Sequence, residues 1–349
     1  MTKPDDYLWD RSGPVDPEVE RLEQLLAPLA HDRPLDELRL RRPRRRRTAW
    51  ILGGAVALAA VAVLALVLRT RGPGGPCSGD AGFTFTAHGG TVGCGNGQVA
   101  RGVLPVGGVL DTGTATAEVK IAEIGTAELA PGTRIRLDRS EKDKRQELHL
   151  ERGHMHAQVT APPRIFAVTT ASTGVTDLGC EYTIEIDAHG KGWIEVQSGK
   201  VELETLAHAV IVAPAGTTAR LLEGRRPSVP ILTTASAVLR AAVTAYEQGE
   251  PGAVARVLAA ATPDDAITLG NLAVLVPADS SSELSCSAPC SDRELVLDRL
   301  GELSPPPDGV TIRAALSDPA KLATWREAVL VEHLALHEEQ NAEKRLQKK

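Results

Sequence analysis

The chain has 349 residues, of which 42% are apolar and 24% charged, so it can hold about two folded domains with sizeable cores. These values exclude a collagen, a coiled coil and a chain that is disordered along its whole length. The net charge of −6 and the aromatic content of 3% argue against a nucleic-acid binder, which needs basic surfaces or stacking platforms.

One amphipathic helix is predicted within residues 1–48. Asp16 suits its N-cap and Pro17 its first helical position. Its apolar stripe consists of Val19, Leu22, Leu25, Leu26 and Leu29. So short a segment has nothing against which to bury the stripe, so we expect it to bind a partner. The candidates are a protein with a helix-accepting groove, a second copy of the chain and the membrane surface, and the neighbouring acidic side chains favour a protein.

Trp9 lies in an aromatic and acidic cluster, DDYLWD, ahead of this helix. We expect it to form a second docking point for the same partner. An inert N-terminal tail is an equally good interpretation of the cluster.

Residues 49–68 contain no charged side chain and predict a transmembrane helix, because twenty helical residues span about 30 Å. Forty-eight residues precede them, which is too many for a secretory signal. Six arginines within 41–47 place the N-terminus in the cytoplasm. We therefore expect a single-pass inner-membrane protein with its C-terminal part in the periplasm. A buried core helix is the alternative interpretation.

All five cysteines follow the predicted transmembrane helix, which fits an oxidising compartment. Cys77 with Cys94, and Cys286 with Cys290, are the locally plausible disulfide pairs, although spacing does not fix the connectivity. Cys180 is then the odd thiol, and we interpret it as a buried structural cysteine. Residues 69–82 read as a linker.

Residues 83–222 consist of short β-branched or alternating runs separated by glycine, which is typical of strands. Two quasi-repeats are visible, Leu148–Val159 and Trp193–Glu204, each read as strand, glycine turn and strand. Such repetition predicts an all-β body of the β-roll or solenoid-like kind.

The order and spacing of several motifs in this region resemble a FecR domain. The stretches are Gly107–Gly113, Ala117–Gly125, Leu129–Ile135, Phe166–Thr170, Val175–Ile184 and Ile194–Glu202. Its motif residues here are Gly113, Gly125, Pro131, Gly132, Leu178, Gly179, Tyr182 and Gly199. Cys180 and Tyr182 stand where the family usually has Thr and Phe.

The resemblance implies a transmembrane regulator whose cytoplasmic segment controls an extracytoplasmic-function sigma factor, and whose periplasmic FecR domain receives a signal. A periplasmic or outer-membrane signalling protein would then be a further partner. Residues 1–48 contain no cysteine and a single histidine, His31, which excludes a zinc-binding anti-sigma domain.

Residues 232–349 predict an α-helical C-terminal domain. Expected helical stripes are Val238, Leu239, Ala242, Val243 and Tyr246; then Val254, Val257 and Leu258; and, on the last helix, Leu322, Trp325, Val329 and Leu336. A further helix with an acidic first turn is predicted to open at Asp264, and Leu295, Leu297 and Leu300 precede a proline-rich break at 305–309. Asp318 should cap the last helix, since Pro319 follows it. This domain resembles the helical tails of some FecR-like proteins, but Gly270 and Asn271 replace the usual Trp-His pair.

No catalytic or cofactor motif is present, so we expect neither an enzyme nor a bound cofactor. His333 and His337 have a zinc-capable spacing, yet the metalloprotease pattern is absent, and a solvated charged face is favoured. His149, His154 and His156 form a weaker candidate zinc set. We expect no metal site.

Two functions fit these features. The first is a FecR-like regulator of a sigma factor, with no direct nucleic-acid contact. The second is an envelope scaffold whose periplasmic domains bind proteins or glycan, and whose cytoplasmic tail is only an anchor. The first is favoured because the 16–31 helix makes little physical sense without a cytoplasmic partner.

Overall fold

A computed structural model describes Arg21, Cys77 and residues 81–141, 144–204, 209–222, 227–277 and 291–347. The chain separates into two units, Met1–Thr70 and Arg71–Lys349, and every element described below belongs to the second. Within these ranges no helix is both long enough and apolar enough to cross a bilayer. The predicted span at residues 49–68 lies outside them.

The first part of the described chain is built of strands. They are β1 (Phe83–His88), β2 (Val92–Cys94), β3 (Gly97–Val99), β4 (Arg101–Leu104), β5 (Val109–Asp111), β6 (Thr116–Ile121), β7 (Gly125–Leu129), β8 (Arg134–Ser140), β9 (Gln146–Val159), β10 (Phe166–Thr169), β11 (Gly174–Asp177), β12 (Glu181–Ile186), β13 (Gly192–Ser198), β14 (Lys200–Glu204), β15 (Val210–Pro214), β16 (Thr217–Leu221) and β17 (Ile231–Leu232).

The strands form two sheets that share β9. The first sheet has the order β4-β1-β6-β7-β9-β12-β13-β16-β17. The second has the order β3-β2-β5-β8-β9-β10-β11-β14-β15. The chain alternates between them, usually one hairpin at a time. Of the ladders between described strands, that of β9 with β10 alone is parallel.

Strand β9 passes from the second sheet to the first at Gly153. The even-numbered residues from Gln146 to Leu150 are buried, whereas from Met155 to Val159 the odd-numbered ones are. The buried face of the strand therefore changes at this point, and both halves of β9 direct their apolar side chains into the same core. Gly153 has a φ of +106°, and a Cβ there would lie 2.4 Å from the Cα of Thr133. A side chain therefore cannot be accommodated at the crossing.

Gly199 has the corresponding place in the second quasi-repeat. Strands β13 and β14 flank it, but they belong to different sheets and do not pair with each other. A Cβ on Gly199 would lie 2.3 Å from the carbonyl oxygen of Gly179. The glycine turn expected between the two strands of each repeat is therefore a crossing from one sheet to the other. The alternation suits the predicted roll, whereas the parallel coils of a solenoid are not seen in the described strands.

The second part of the described chain is helical. It contains α1 (Ala237–Glu247), α2 (Ala253–Ala260), a 3₁₀ turn (Pro263–Asp265), α3 (Ala266–Leu275), α4 (Asp292–Leu303), α5 (Ile312–Ser317) and α6 (Pro319–Gln347). Asp318 accepts a hydrogen bond from the backbone N–H of Ala320 at 2.8 Å, as a capping residue should.

Three sequence-based details are corrected. Strand β17 follows Pro230, so the β region extends beyond residue 222. Val238 is 69% exposed and Leu336 50%, whereas the other members of their predicted stripes are buried or partly buried. Val238 faces solvent at the start of α1, and Leu336 lines an open cavity beside Leu232 and Leu303.

The roll and the helices share one continuous core of mainly Val, Leu, Ile and Ala side chains. Helix α3 connects them, since almost all of its residues are buried. The Asn271 side chain on α3 accepts from the backbone N–H of Val212 at 2.9 Å and donates to its carbonyl at 2.8 Å. Val212 belongs to β15, the edge strand of the second sheet. The carboxamide thus replaces a neighbouring strand, because it satisfies both backbone groups.

The two edges of the first sheet are also covered. On β17, the Arg240 guanidinium donates to the carbonyl of Leu232 at 3.2 Å. On β4, the backbone N–H of Val103 donates to the carbonyl of Cys77 at 2.9 Å. Such coverage reduces unwanted strand pairing with other chains.

Candidate functional site

The predicted cytoplasmic contact residues lie outside the described residues. They are Trp9, Val19, Leu22, Leu25, Leu26 and Leu29. The same holds for Cys286 and Cys290. The residues that can be placed are those of the roll and the helical region.

Cys77 and Cys94 form a disulfide, with their Cα atoms 5.8 Å apart. Cys77 covers edge strand β4 of the first sheet, whereas Cys94 ends β2 of the second. The bridge therefore fastens the chain that follows the predicted transmembrane helix to both sheets of the roll.

The predicted FecR motif residues lie at turns, strand starts and the roll core. Gly113 follows β5, Gly125 begins β7, Pro131 and Gly132 connect β7 to β8, Leu178 and Gly179 precede β12, Tyr182 is within β12 and Gly199 is the crossing. Tyr182 is fully buried. These residues build the roll, and they present no catalytic groups.

Asp177, Cys180 and Tyr182 bring polar groups into the core. The Cys180 thiol donates to the Asp177 carboxyl, which also accepts from the backbone N–H of Gly179 at 2.6 Å. Burial, followed by the nearby Asp177, raises the pKa of Cys180 far above its ordinary value. Burial also raises the pKa of the Asp177 carboxyl. The thiol therefore stays protonated, which does not suit a nucleophile.

The three histidines of the candidate zinc set are divided by the crossing at Gly153. His149 lies on the second sheet and its Nδ1 contacts the Thr169 hydroxyl at 2.9 Å. His154 and His156 lie on the first sheet, where each is 3.3 Å from a carboxylate oxygen of β12, that of Glu185 and Glu181 respectively. In the described ranges no three His, Cys, Asp or Glu side chains are placed to hold a metal.

His154 and His156 also line an open cavity of about 410 Å³ on the outer face of the first sheet, together with His88, Glu118 and Glu128. Glu118 and Glu128 are directly opposite each other in the ladder, as are Glu128 and His156. This face is therefore polar and acidic.

The outer face of the second sheet carries a charge network around Asp111. Arg134 and Arg152 contact its carboxylate at 3.3 and 2.8 Å, and Arg134 also pairs with Glu151 at 2.7 Å. Burial alone would raise the pKa of Asp111, but hydrogen bonds from Gly113, Arg134 and Arg152 outweigh it and hold the pKa below its ordinary value. The network ties β5, β8 and β9 together.

His333 and His337 attach the last helix to the roll. Their rings stack with centroids 6.3 Å apart, and Nε2 of His333 is 2.8 Å from the carbonyl oxygen of Ala215. The His337 ring lies against Gly216, since a Cβ there would be 2.9 Å from it. The expected solvated face is thus wrong at these two residues, although Glu332 is exposed.

Sequence reasoning missed Asn271 and Arg326 as a pair. Arg326 on α6 donates through Nη2 to Oδ1 of Asn271 at 2.9 Å and to the carbonyl of Val210 at 3.5 Å. The available signal was a single amide in the apolar run of α3, Ala266–Leu275. Nothing in that run indicates what Asn271 binds, because its partner Val212 is 59 residues away and its partner Arg326 is 55 residues away.

Comparison with known proteins gives a family for the roll. Residues 109–202 match the family described as FecR protein. No curated protein matches the chain. Solved structures that resemble part of it include two crystal structures of a candidate anti-sigma factor from Parabacteroides distasonis.

The first of these crystal structures is 18% identical, with a TM-score of 0.31, over 40% of this chain and 65% of that chain. The second is 19% identical, with a TM-score of 0.29, over 38% of this chain and 60% of that chain. The matches thus span less than two thirds of those proteins.

The matched residues 109–202 run from β5 to β14, and so include β9 and both sheet crossings. The FecR resemblance drawn from the motif order is therefore confirmed for this part of the chain. Residues 109–202, the central part of the two-sheet roll, are thus similar to a FecR domain.

Proposed function

We propose that the chain is a single-pass inner-membrane regulator that controls an extracytoplasmic-function sigma factor through residues 1–48. Its FecR domain, on the periplasmic side, would receive the signal. The FecR match at residues 109–202 is the observation that carries this proposal.

The charge and hydropathy pattern supports the proposed topology. The uncharged stretch 49–68 follows six arginines within 41–47, and such an excess of basic residues is retained on the cytoplasmic side. The Cys77–Cys94 disulfide supports an exported position for the roll, because structural disulfides persist in oxidising compartments.

The apolar stripe of the predicted 16–31 helix supports a cytoplasmic protein partner. Leu22 and Leu25 are central to it, while acidic Glu18, Glu20 and Glu23 lie beside it and disfavour anionic lipid. An amphipathic helix of this kind binds in a groove through residues at helical spacing.

Transcription in the native organism tests the proposal. We compare total RNA from cells with the wild-type chain, with residues 72–349 deleted, and with the double substitution Leu22→Asp and Leu25→Asp. Both changes should alter one common set of genes with a shared promoter sequence. The matched control, Arg21→Asp with Gln24→Asp, places the same side chains off the stripe and should leave that set unchanged.

Unchanged transcription in both altered strains would contradict the proposal. It would favour the envelope scaffold, for which the cytoplasmic segment is dispensable.

A further inference from the structure

A small cavity lies where β15, α3 and α6 meet. Its volume is about 130 Å³, and its walls include Val212, Ile267, Val329 and Leu330. Three polar side chains, Asn271, Arg326 and Glu327, also line it. Neither the FecR match nor the proposed regulation of a sigma factor assigns a role to this cavity. All of its lining residues lie outside residues 109–202.

Arg326 is a partly buried cation whose hydrogen-bond acceptors are neutral. Its Nη2 donates to the Asn271 carboxamide at 2.9 Å and to the carbonyl oxygen of Val210 at 3.5 Å. Burial lowers the pKa of Arg326, although the charges of Glu327 and Glu202 act in the opposite direction. Buried charges in proteins are usually paired with an opposite charge, so this arrangement is unusual.

The two nearby carboxylates are already paired with other cations. Glu202 accepts from the Arg164 guanidinium, with Nε 3.1 Å from its oxygen, and Glu327 pairs with Lys200 at 3.3 Å. Arg326 takes part in none of the ion pairs between described residues.

Two nitrogens of Arg326 remain available. Neither Nε nor Nη1 has a hydrogen-bond acceptor among the described residues. Arg326 itself is among the residues that line the cavity. These N–H groups can therefore reach a molecule in the cavity.

The size and lining of the cavity define the chemistry of its occupant. A volume of about 130 Å³ corresponds to roughly four water molecules. The aliphatic walls and the Arg326 guanidinium suit a carboxylate on a short aliphatic body, because Arg binds carboxylates well and the one acidic residue of the lining, Glu327, is already paired with Lys200. We propose that this cavity is a binding site for such a carboxylate, carried by a free short-chain acid or by the last residue of a peptide.

Calorimetry with the full-length chain in detergent tests this site, with isobutyrate as the probe. Isobutyrate should bind saturably with an affinity of roughly millimolar, because so few atoms can contribute. Isobutyramide has the same shape without the charge and should bind at least tenfold more weakly. Equal binding of the two compounds, or no saturable binding of isobutyrate, would overturn the proposal.

Variants assign the binding to Arg326. Arg326→Gln should weaken the binding of isobutyrate at least tenfold. Arg326→Lys should weaken it by less, because it keeps the positive charge. Arg240→Gln is the matched control, since Arg240 also donates to backbone carbonyls but lies outside this cavity. Unchanged affinity in a folded Arg326→Gln protein would contradict the assignment. If Arg326→Gln fails to fold, the affinity of Arg326→Lys for isobutyrate, and the comparison of isobutyrate with isobutyramide, still test the assignment.

A peptide arm distinguishes the two sources of the carboxylate. Acetyl-Ala-Val with a free carboxylate is compared with its C-terminal amide. Tighter binding of the free peptide than of isobutyrate indicates a peptide C-terminus, whereas binding of isobutyrate alone indicates a free acid.

Discussion

Asn271 is a fully buried carboxamide that completes the hydrogen bonds of an edge strand. Its two bonds to Val212 join the helical region to the roll, and the Thr268 hydroxyl adds a bond to the carbonyl of Pro230 at 2.9 Å. Helix α3 could be predicted from the sequence, but its contact with β15 could not. That contact depends on which strand is left at the sheet edge, and local pattern carries no information on this.

Replacing Asn271 by Leu should destabilise the protein by about 2–4 kcal/mol, because it leaves two partly buried backbone groups of Val212 without their partner. Thr268→Val is the matched control and should cost about 1 kcal/mol, since it removes one bond. Denaturant unfolding measures both. Equal losses in the two variants would contradict the edge-closing role of the carboxamide.

His149 is a half-buried imidazole whose pKa is lowered, first by burial and then by the charge of Arg136. The unfolded chain binds the proton more readily, so stability should fall as the pH drops below about 6.5 towards the lower pKa of the folded state. His149→Asn should reduce this slope of unfolding free energy against pH, which denaturant unfolding at a series of pH values measures. Parallel pH curves for wild type and His149→Asn would refute the burial effect.

The crossing of β9 shows what an element-level pattern can and cannot predict. The two quasi-repeats were recognisable as strand, glycine and strand. Whether such a unit folds back as a hairpin or passes to another sheet depends on the strands that pair with it, and these are distant in sequence. The same crossing separates His149 from His154 and His156, which is why the three-histidine set does not assemble.

Gly153→Ala and Gly199→Ala should each destabilise the roll by more than about 3 kcal/mol, because a Cβ would overlap backbone atoms of the facing chain. Gly107→Ala is the matched control, with a φ of +80° and nothing within 4 Å of its Cβ position. It should cost about 1 kcal/mol from the backbone conformation alone. Equal costs at all three positions, measured by denaturant unfolding, would mean that the crossings are not sterically constrained.

The Cys77–Cys94 bridge closes a loop across a sequence separation of 17 residues. Replacing both cysteines by Ala should cost about 3 kcal/mol in the chain-entropy treatment of disulfides. A reductant should lower the unfolding free energy of the wild type and leave that of the double variant unchanged. If a reductant also lowered the unfolding free energy of the double variant, another disulfide would be responsible.

At the scale of the whole molecule, the FecR roll and the helical region share a core, and the proposed membrane helix precedes them. The motif order was sufficient to recognise the FecR domain, because its strands and turns recur at fixed spacing from Gly107 to Glu202. The motif order could not predict how the helices cover the edge strand β15, since Asn271 and Arg326 belong to no motif.

Topology can be measured directly with alkaline phosphatase fusions, which are active only when exported. A fusion after residue 40 should be inactive, and one after residue 100 should be active. Activity of the first or inactivity of the second would contradict the proposed orientation.

The central claim is that residues 1–48 of a FecR-containing membrane protein bind a sigma factor. The most direct measurement is affinity capture of the full-length chain from detergent-solubilised native cells, with mass spectrometry of the bound proteins. We predict that a sigma factor is retained by the wild type and by the Arg21→Asp, Gln24→Asp control, and is lost with Leu22→Asp, Leu25→Asp. Capture of no sigma factor, or equal capture by all three, would contradict the account.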